Sequence, residues 1–288
     1  MSSFPQYACP YALALAKRSP RFALQVFEDP GEDSAPDDGF PSDPFGELDD
    51  KCTPKGLKRR FPDRVLMMTS DKCFMNCRHC TRRGILGRSP VVDTDDALRE
   101  CIEYVKGDSR IRDVLLSGGD ILTLDDDRVM WSVDAFAALP QIDIVRVCTR
   151  ALCANPARVT ARLAKMLGEP KKVWVNTQFN CADELTPEAV AAAARLVDCG
   201  IPVSCQTVLL KGVNDSVEEM LKLFRALTAA RIRPYYVFTC DPVAGIERFR
   251  VSREEARRIE DECAARIGGL SLPRFVSDIP GAPRKTPV

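Results

Sequence analysis

The run RVLMMTSDKCFMNCRHCTRR, residues 64–83, sets an apolar segment directly before a basic loop that holds Cys73, Cys77 and Cys80. The apolar half barely alternates with polar residues, which suits a strand covered on both faces, as in a parallel sheet. The pattern repeats. A helical pattern at 94–106 follows this strand; DVLLSGG (113–119) precedes one at 126–138, and IVRVCTR (144–150) precedes one at 157–167. KVWVNTQF (172–179), PVSCQTVLL (202–210) and PYYVFTCD (234–241) precede helical patterns at 187–199, 217–231 and 252–267. Six βα units with right-handed crossovers close into a barrel or partial barrel. A doubly wound open sheet shares this periodicity and stays open as the alternative. The expected fold class is therefore α/β, a partial (β/α)6 TIM-like barrel over residues 64–270. A helical and loop extension at 1–63 precedes it, and a C-terminal segment at 271–288 follows.

Ser216 with Glu219, and Ser252 with Glu255, have the spacing of capping boxes, and Thr186-Pro187 reads as an N-cap followed by Pro at N1. Residues 28–50, EDPGEDSAPDDGFPSDPFGELDD, are acidic and rich in Pro, Gly and Asp, which predicts a solvated connector without regular structure. Basic and acidic residues balance at 41 each, leaving no electrostatic footprint for nucleic acid. No apolar run is long enough for a bilayer span. The first twenty residues have a short apolar stretch with no basic region ahead of it, a poor match to a signal peptide. Most of the 13 cysteines sit singly in apolar segments, where a reduced thiol acts as a small hydrophobe, so a cytoplasmic location is expected.

In barrels of this kind, chemistry gathers at the C-terminal ends of the strands. The cysteine loop follows the first strand, SGGD (117–120) ends the second, and Arg150 ends the third. Gln206 lies within the fifth, and Asp241 ends the sixth. A structural zinc site takes four Cys or His ligands, but the loop supplies three thiols, and His79 abuts Cys80 so that both could not easily face one ion. A zinc-stabilised binding module, completed by a distant cysteine, is the non-catalytic alternative. An iron–sulfur cubane needs one ligand per iron, so three cysteines leave one iron open to an external ligand. A glycine pair at a strand end lets the backbone approach a ligand closely.

The CxxxCxxC spacing of Cys73, Cys77 and Cys80 after the first strand resembles the radical S-adenosylmethionine superfamily. That resemblance implies a [4Fe-4S] cluster whose open iron chelates S-adenosylmethionine, and an electron donor such as flavodoxin or ferredoxin. One electron then splits the sulfonium into methionine and a 5′-deoxyadenosyl radical. Gly118, Gly119 and Asp120 are the implied holders of the methionine amino group. FPDRVLMMTSDKCFMNCRHCTRR, NTQFN, QTVLLKGVND, RPYYVFTCD and DIPGAPRKTPV together resemble the lysine 2,3-aminomutase family, from roughly residue 7 to the last. An amino shift from the α- to the β-carbon removes a hydrogen that is not acidic, which a radical can do. The migrating nitrogen needs an imine, hence pyridoxal 5′-phosphate and a lysine to hold it. The resemblance implies Lys285 as that lysine, Arg64 beside the pyridoxal cofactor, and Gln206 near the adenosyl ribose. It further implies Arg82 on the substrate α-carboxylate, a task suited to guanidinium, and Asp241 with Asp278 on a distal ammonium.

Lysine is the leading small-molecule substrate on this reading. Arginine, ornithine and a protein-bound lysine remain alternatives, while glutamate is disfavoured by the acidic pair. Gln178 stands where the family commonly has His, and Phe61 where it often has Tyr. Family members continue past the position of Val288, so oligomer and metal contacts from that portion are not transferred and a homo-oligomer stays an open expectation. Lys285 is accordingly expected on a poorly anchored tail.

Overall fold

The computed structural model describes residues 4–29, 32, 39–48 and 51–288. Helices α1 (Pro10–Ala16) and α2 (Pro20–Val26) precede strand β1 (Leu57–Phe61), which pairs antiparallel with β2 (Arg64–Ser70). The chain then alternates through α3 (Asp95–Lys106), β3 (Asp113–Gly118), α4 (Asp126–Ala137) and β4 (Ile144–Cys148). The short α5 (Ala151–Ala154), α6 (Ala161–Gly168), β5 (Val173–Thr177), α7 (Pro187–Asp198) and β6 (Val203–Leu209) follow. Next come α8 (Val217–Ala229), β7 (Arg233–Thr239), α9 (Arg253–Ala264), β8 (Arg274–Ser277) and β9 (Thr286–Pro287).

The nine strands lie side by side in chain order, and every pair from β2 through β8 is parallel. A doubly wound sheet reverses its order at a switch point; none occurs, so the architecture is a partial barrel with open edges at β1 and β9. The six expected strands and their helices all form. Two expectations need extending. LKRRF (57–61) carries no apolar pattern because of its basic residues, yet it forms β1, held by the ladder to β2. The sheet also runs past residue 270 into β8 and β9, which are too short to show periodicity.

The tail is well anchored, contrary to expectation. β9 pairs antiparallel with β8, Val288 is buried, and its N–H reaches the Phe275 carbonyl at 3.3 Å. Arg253 and Arg257 donate to the carbonyls of Pro287 and Val288. The solvated-connector reading also fails at two residues: Glu32 and Glu47 are buried. Residues 39–48 do lack helix and strand, and the remainder of the connector lies mostly outside the described residues.

Thr186, Ser216 and Ser252 each cap their helix by accepting the N–H three residues on. The reciprocal half of the two capping boxes is absent, because Glu219 pairs with Arg21 and Lys222, and Glu255 with Arg258. Valines 114, 145, 173 and 203 are buried and take no part in the interior cleft described below. The alternate face is not apolar throughout, since it presents Arg146, Cys148, Asn176 and Gln206 to the barrel interior.

Candidate active site

A cleft of about 430 Å³ opens inside the barrel, and it is lined by every residue singled out from the sequence. Cys73, Cys77 and Cys80 share it with Gly118, Gly119, Asp120 and Gln206, and with Arg64, Arg82, Asp241, Asp278 and Lys285. Most enter from the C-terminal ends of the strands. Arg64 enters from the opposite end, at the start of β2, with its guanidinium 4.2 Å above the Phe61 ring.

The glycine pair, which lines the cleft, also lets two stretches of backbone meet closely. Gly118 has φ +118°, and a Cβ there would lie 2.5 Å from the Ser70 carbonyl; one on Gly119 would overlap the Lys72 carbonyl. The Gly119 and Asp120 N–H groups donate to those carbonyls at 2.6 and 2.7 Å, pinning the base of the cysteine loop to the end of β3. Asp120 is buried and accepts from the Thr149 hydroxyl and the Arg150 N–H, both at 2.7 Å. Burial raises its pKa, against the pull of those donors.

Arg150 ties the far side of the loop, donating to Cys77 Sγ at 2.9 Å, to Gln25 at 2.6 Å and to Glu184 at 3.1 Å. Burial, then the neighbouring Cys77, push the Cys80 thiol up to about 11; burial and the other two thiols push Cys73 further. Burial thus favours the protonated form of Cys73 and Cys80, and an electrophilic metal would favour their thiolates. Among the described residues, no three His, Cys, Asp or Glu side chains converge on a point where one metal ion would sit.

His79 turns toward the barrel instead. Asn180 accepts the Val208 N–H on its oxygen, so its amide donates to His79 Nε2 at 3.3 Å, beside Gln178 at 3.0 Å. Burial and the Arg150 and Arg248 charges hold the ring neutral, with its proton on Nδ1. Among the described residues that buried Nδ1 has no hydrogen-bond partner, and the same holds for Arg150 Nε, Asn176 Nδ2 and Thr177 Oγ1. All four residues line the cleft.

At the other end the hairpin between β8 and β9 lays Lys285 Nζ onto the Asp278 carboxylate. Arg60 grips the same carboxylate with two bonds, at 2.7 and 3.0 Å. Burial lowers the Lys285 pKa against the pull of Asp278, while Arg60 and Lys285 hold Asp278 low against burial. Asp278 is thus already met by cations of the chain. The Asp241 carboxylate accepts only the Thr81 hydroxyl, at 2.8 Å, among the described residues, and its pKa is raised to about 6. Burial is the main cause, with Thr81 opposing it and Asp278 adding to it. Arg82 is paired with Glu47 through two bonds. Sequence reading missed Arg60, Thr81 and Glu47. Arg60 lay in plain view in KRRF, whereas the other two carry no local signal.

The radical SAM superfamily matches residues 67–224. The chain shares its fold with Streptococcus suis SuiB, solved bound to S-adenosylmethionine: TM-score 0.56, 18% identity, 76% of this chain and 51% of that one. Fold and matched region make the chain a member of the radical SAM superfamily. It is 42% identical to the L-lysine 2,3-aminomutase of Fusobacterium nucleatum over 85% of this chain and 58% of that protein. It is 35% identical to a putative L-lysine 2,3-aminomutase of Treponema pallidum over 86% of this chain and 69% of that protein. The chain belongs to the L-lysine 2,3-aminomutase family, and it spans less than two thirds of the Fusobacterium relative.

Proposed function

We propose that this chain moves the α-amino group of L-lysine, or a related basic amino acid, to the β-carbon in a radical reaction. The observation that carries the reading is one cleft holding three thiols at one end and a half-buried lysine near Arg60 and Arg64 at the other. Cys73, Cys77 and Cys80 would hold a [4Fe-4S] cluster and leave one iron open to an external ligand. Gly118, Gly119 and Asp120 would stand at the methionine amino group of S-adenosylmethionine and Gln206 near its ribose, all four lining the same cleft as the thiols. Lys285, with Arg60 and Arg64 near it, fits a pyridoxal 5′-phosphate: an amine for the aldehyde and cations for the phosphate. When bound, these groups supply a carbon-centred radical and a π-bond for the migrating nitrogen.

The remaining work falls to the chain. Arg82 presents guanidinium N–H groups to a substrate carboxylate, and Asp241 offers an ionised carboxylate to a distal ammonium. Lys285 needs a neutral amine to act as a nucleophile, and burial favours that form. A one-electron donor is the partner this chemistry calls for.

The test is anaerobic reconstitution with iron, sulfide, S-adenosylmethionine, pyridoxal phosphate and a reductant, followed by product analysis on lysine, arginine and ornithine. β-Lysine is the expected product, and no product from any of the three rejects the substrate assignment. Borohydride trapping is expected to leave a pyridoxyl group on Lys285; its absence counts against the pyridoxal site.

Asp241 adds a pH dependence with a definite sign. A carboxyl with a pKa raised to about 6 is ionised above that pH and neutral below it. Lysine affinity should hold above pH 6 and fall toward tenfold per pH unit below it. Asp241→Asn should bind lysine weakly at every pH and flatten that profile. A wild-type profile flat from pH 5 to 7 removes Asp241 from the ammonium site.

A further inference from the structure

Glu47 comes from the acidic connector, yet it is 5% exposed and lies against the guanidinium to which the proposed function gives the substrate carboxylate. Two opposite roles are open to a carboxylate in that place. It could occupy the substrate's position and have to leave, or it could bracket Arg82 and stay. The edge of the guanidinium that it uses separates the two. Arg82 Nε donates to Glu47 Oε2 at 2.6 Å and Nη2 to Oε1 at 2.8 Å. This is the side edge. A guanidinium has five N–H donors, so the end edge, built from Nη1 and the second hydrogen of Nη2, keeps a parallel pair for another carboxylate. Nη1 has no hydrogen-bond partner among the described residues, and Arg82 lines the cleft.

The segment carrying Glu47 is seated firmly. Asp43 accepts the Glu47 and Leu48 N–H groups at 2.9 and 2.8 Å, fixing the backbone on which the carboxylate stands. Phe45 lies 3.8 Å from the Arg60 guanidinium. Ser42 packs so closely on Gly84, in the turn after the cysteine loop, that a Cβ there would lie 2.6 Å from the Ser42 carbonyl oxygen. The carboxylate is thus held from behind rather than hung over the opening.

We propose that Glu47 is a positioning residue that fixes the side edge of Arg82 so that its end edge is presented as a ready fork for the substrate carboxylate. This rests on the reading of Arg82 given above. An unbraced arginine side chain would have to give up rotamer freedom on binding, and the bracket removes that cost beforehand. The connector, which otherwise looks like a spacer, becomes part of the substrate site.

The test measures binding, without reductant and hence without turnover, by isothermal titration of the anaerobic holoenzyme. The probes are L-lysine and 1,5-diaminopentane, its counterpart lacking the carboxylate. Wild type should bind lysine more tightly than the diamine. Glu47→Gln should weaken lysine about tenfold, the size of a lost charge-assisted constraint, and leave the diamine within about twofold. Glu47→Asp, which keeps the charge but withdraws it by one methylene, should fall between; it also serves if the glutamine variant does not fold. In turnover, the loss should appear in KM more than in kcat. Unchanged lysine affinity in both variants overturns the proposal. Tighter lysine binding also overturns it, by showing a carboxylate that competes with substrate, and equal weakening of both probes shows a merely structural role. A wild type that fails to prefer lysine over the diamine instead rejects the assignment of Arg82 itself.

Discussion

Alanine in place of any one of Cys73, Cys77 or Cys80 is expected to leave a folded protein that holds no intact cluster and yields no product. The expected fall in rate is at least about 10⁶-fold, the lower end of enzymatic acceleration, because no polar route removes the β-hydrogen once the radical source is gone. The fold should survive. All three thiols are only partly buried, and their loop is tied down at other points. Gly118 and Gly119 pack on its base, Arg78 and Arg83 are buried beneath it, and the Arg78 N–H reaches the Gln25 carbonyl at 2.9 Å. Cys77→Ala carries an extra cost, since Arg150 loses a sulfur partner at 2.9 Å. Iron and sulfide content, visible absorbance and a thermal melt on each variant check this prediction. A variant that keeps full iron and converts lysine would remove that cysteine from the ligand set.

Glu32→Ala is expected to be the most damaging single change to stability away from the apolar core. Its carboxylate is 4% exposed and receives Arg78 Nε at 3.0 Å and Nη2 at 2.5 Å, with Arg83 at 2.7 Å. Arg78 is fully buried, and its Nη1 also donates to the Phe4 carbonyl at 2.9 Å. Removing the anion takes from Arg78 and Arg83 a carboxylate that offsets their buried charge. Breaking a buried pair from one side costs about 3–5 kcal/mol, against a total stability of about 5–15 kcal/mol for a typical domain. For a chain of this size that corresponds to a fall in melting temperature of roughly 10 °C. Arg78 lies between Cys77 and Cys80, so the same variant should also take up less iron. Calorimetry beside an iron assay tests both; a melting temperature within about 2 °C of wild type contradicts the argument.

Glu32 and Glu47 are both buried although they come from the acidic connector. Both lie in a stretch rich in Pro, Gly and Asp that reads as solvated spacer. That composition does predict the absence of helix and strand over residues 39–48, because it describes the backbone's own preferences. Where a carboxylate ends up is a different matter. Glu47 meets Arg82 from 35 positions away, Glu32 meets Arg78 from 46, and Arg60 meets Asp278 from 218. No spacing rule reaches across such distances. The glycine pair of SGGD shows the converse: its place at a strand end was visible, but its contact with the Ser70 and Lys72 carbonyls was not.

By itself the sequence determined the α/β class, six strand–helix units, three helix N-caps and a three-thiol loop, since each is written in residues within one or two turns of one another. It left barrel against open sheet undecided, because periodicity records which faces are buried and not the order of strands. Tertiary structure decided that order, and it anchored the tail through a two-residue strand too short to carry a pattern. It also decided which charges face one another: buried ion pairs form wherever the fold brings opposite groups together, whatever their separation along the chain.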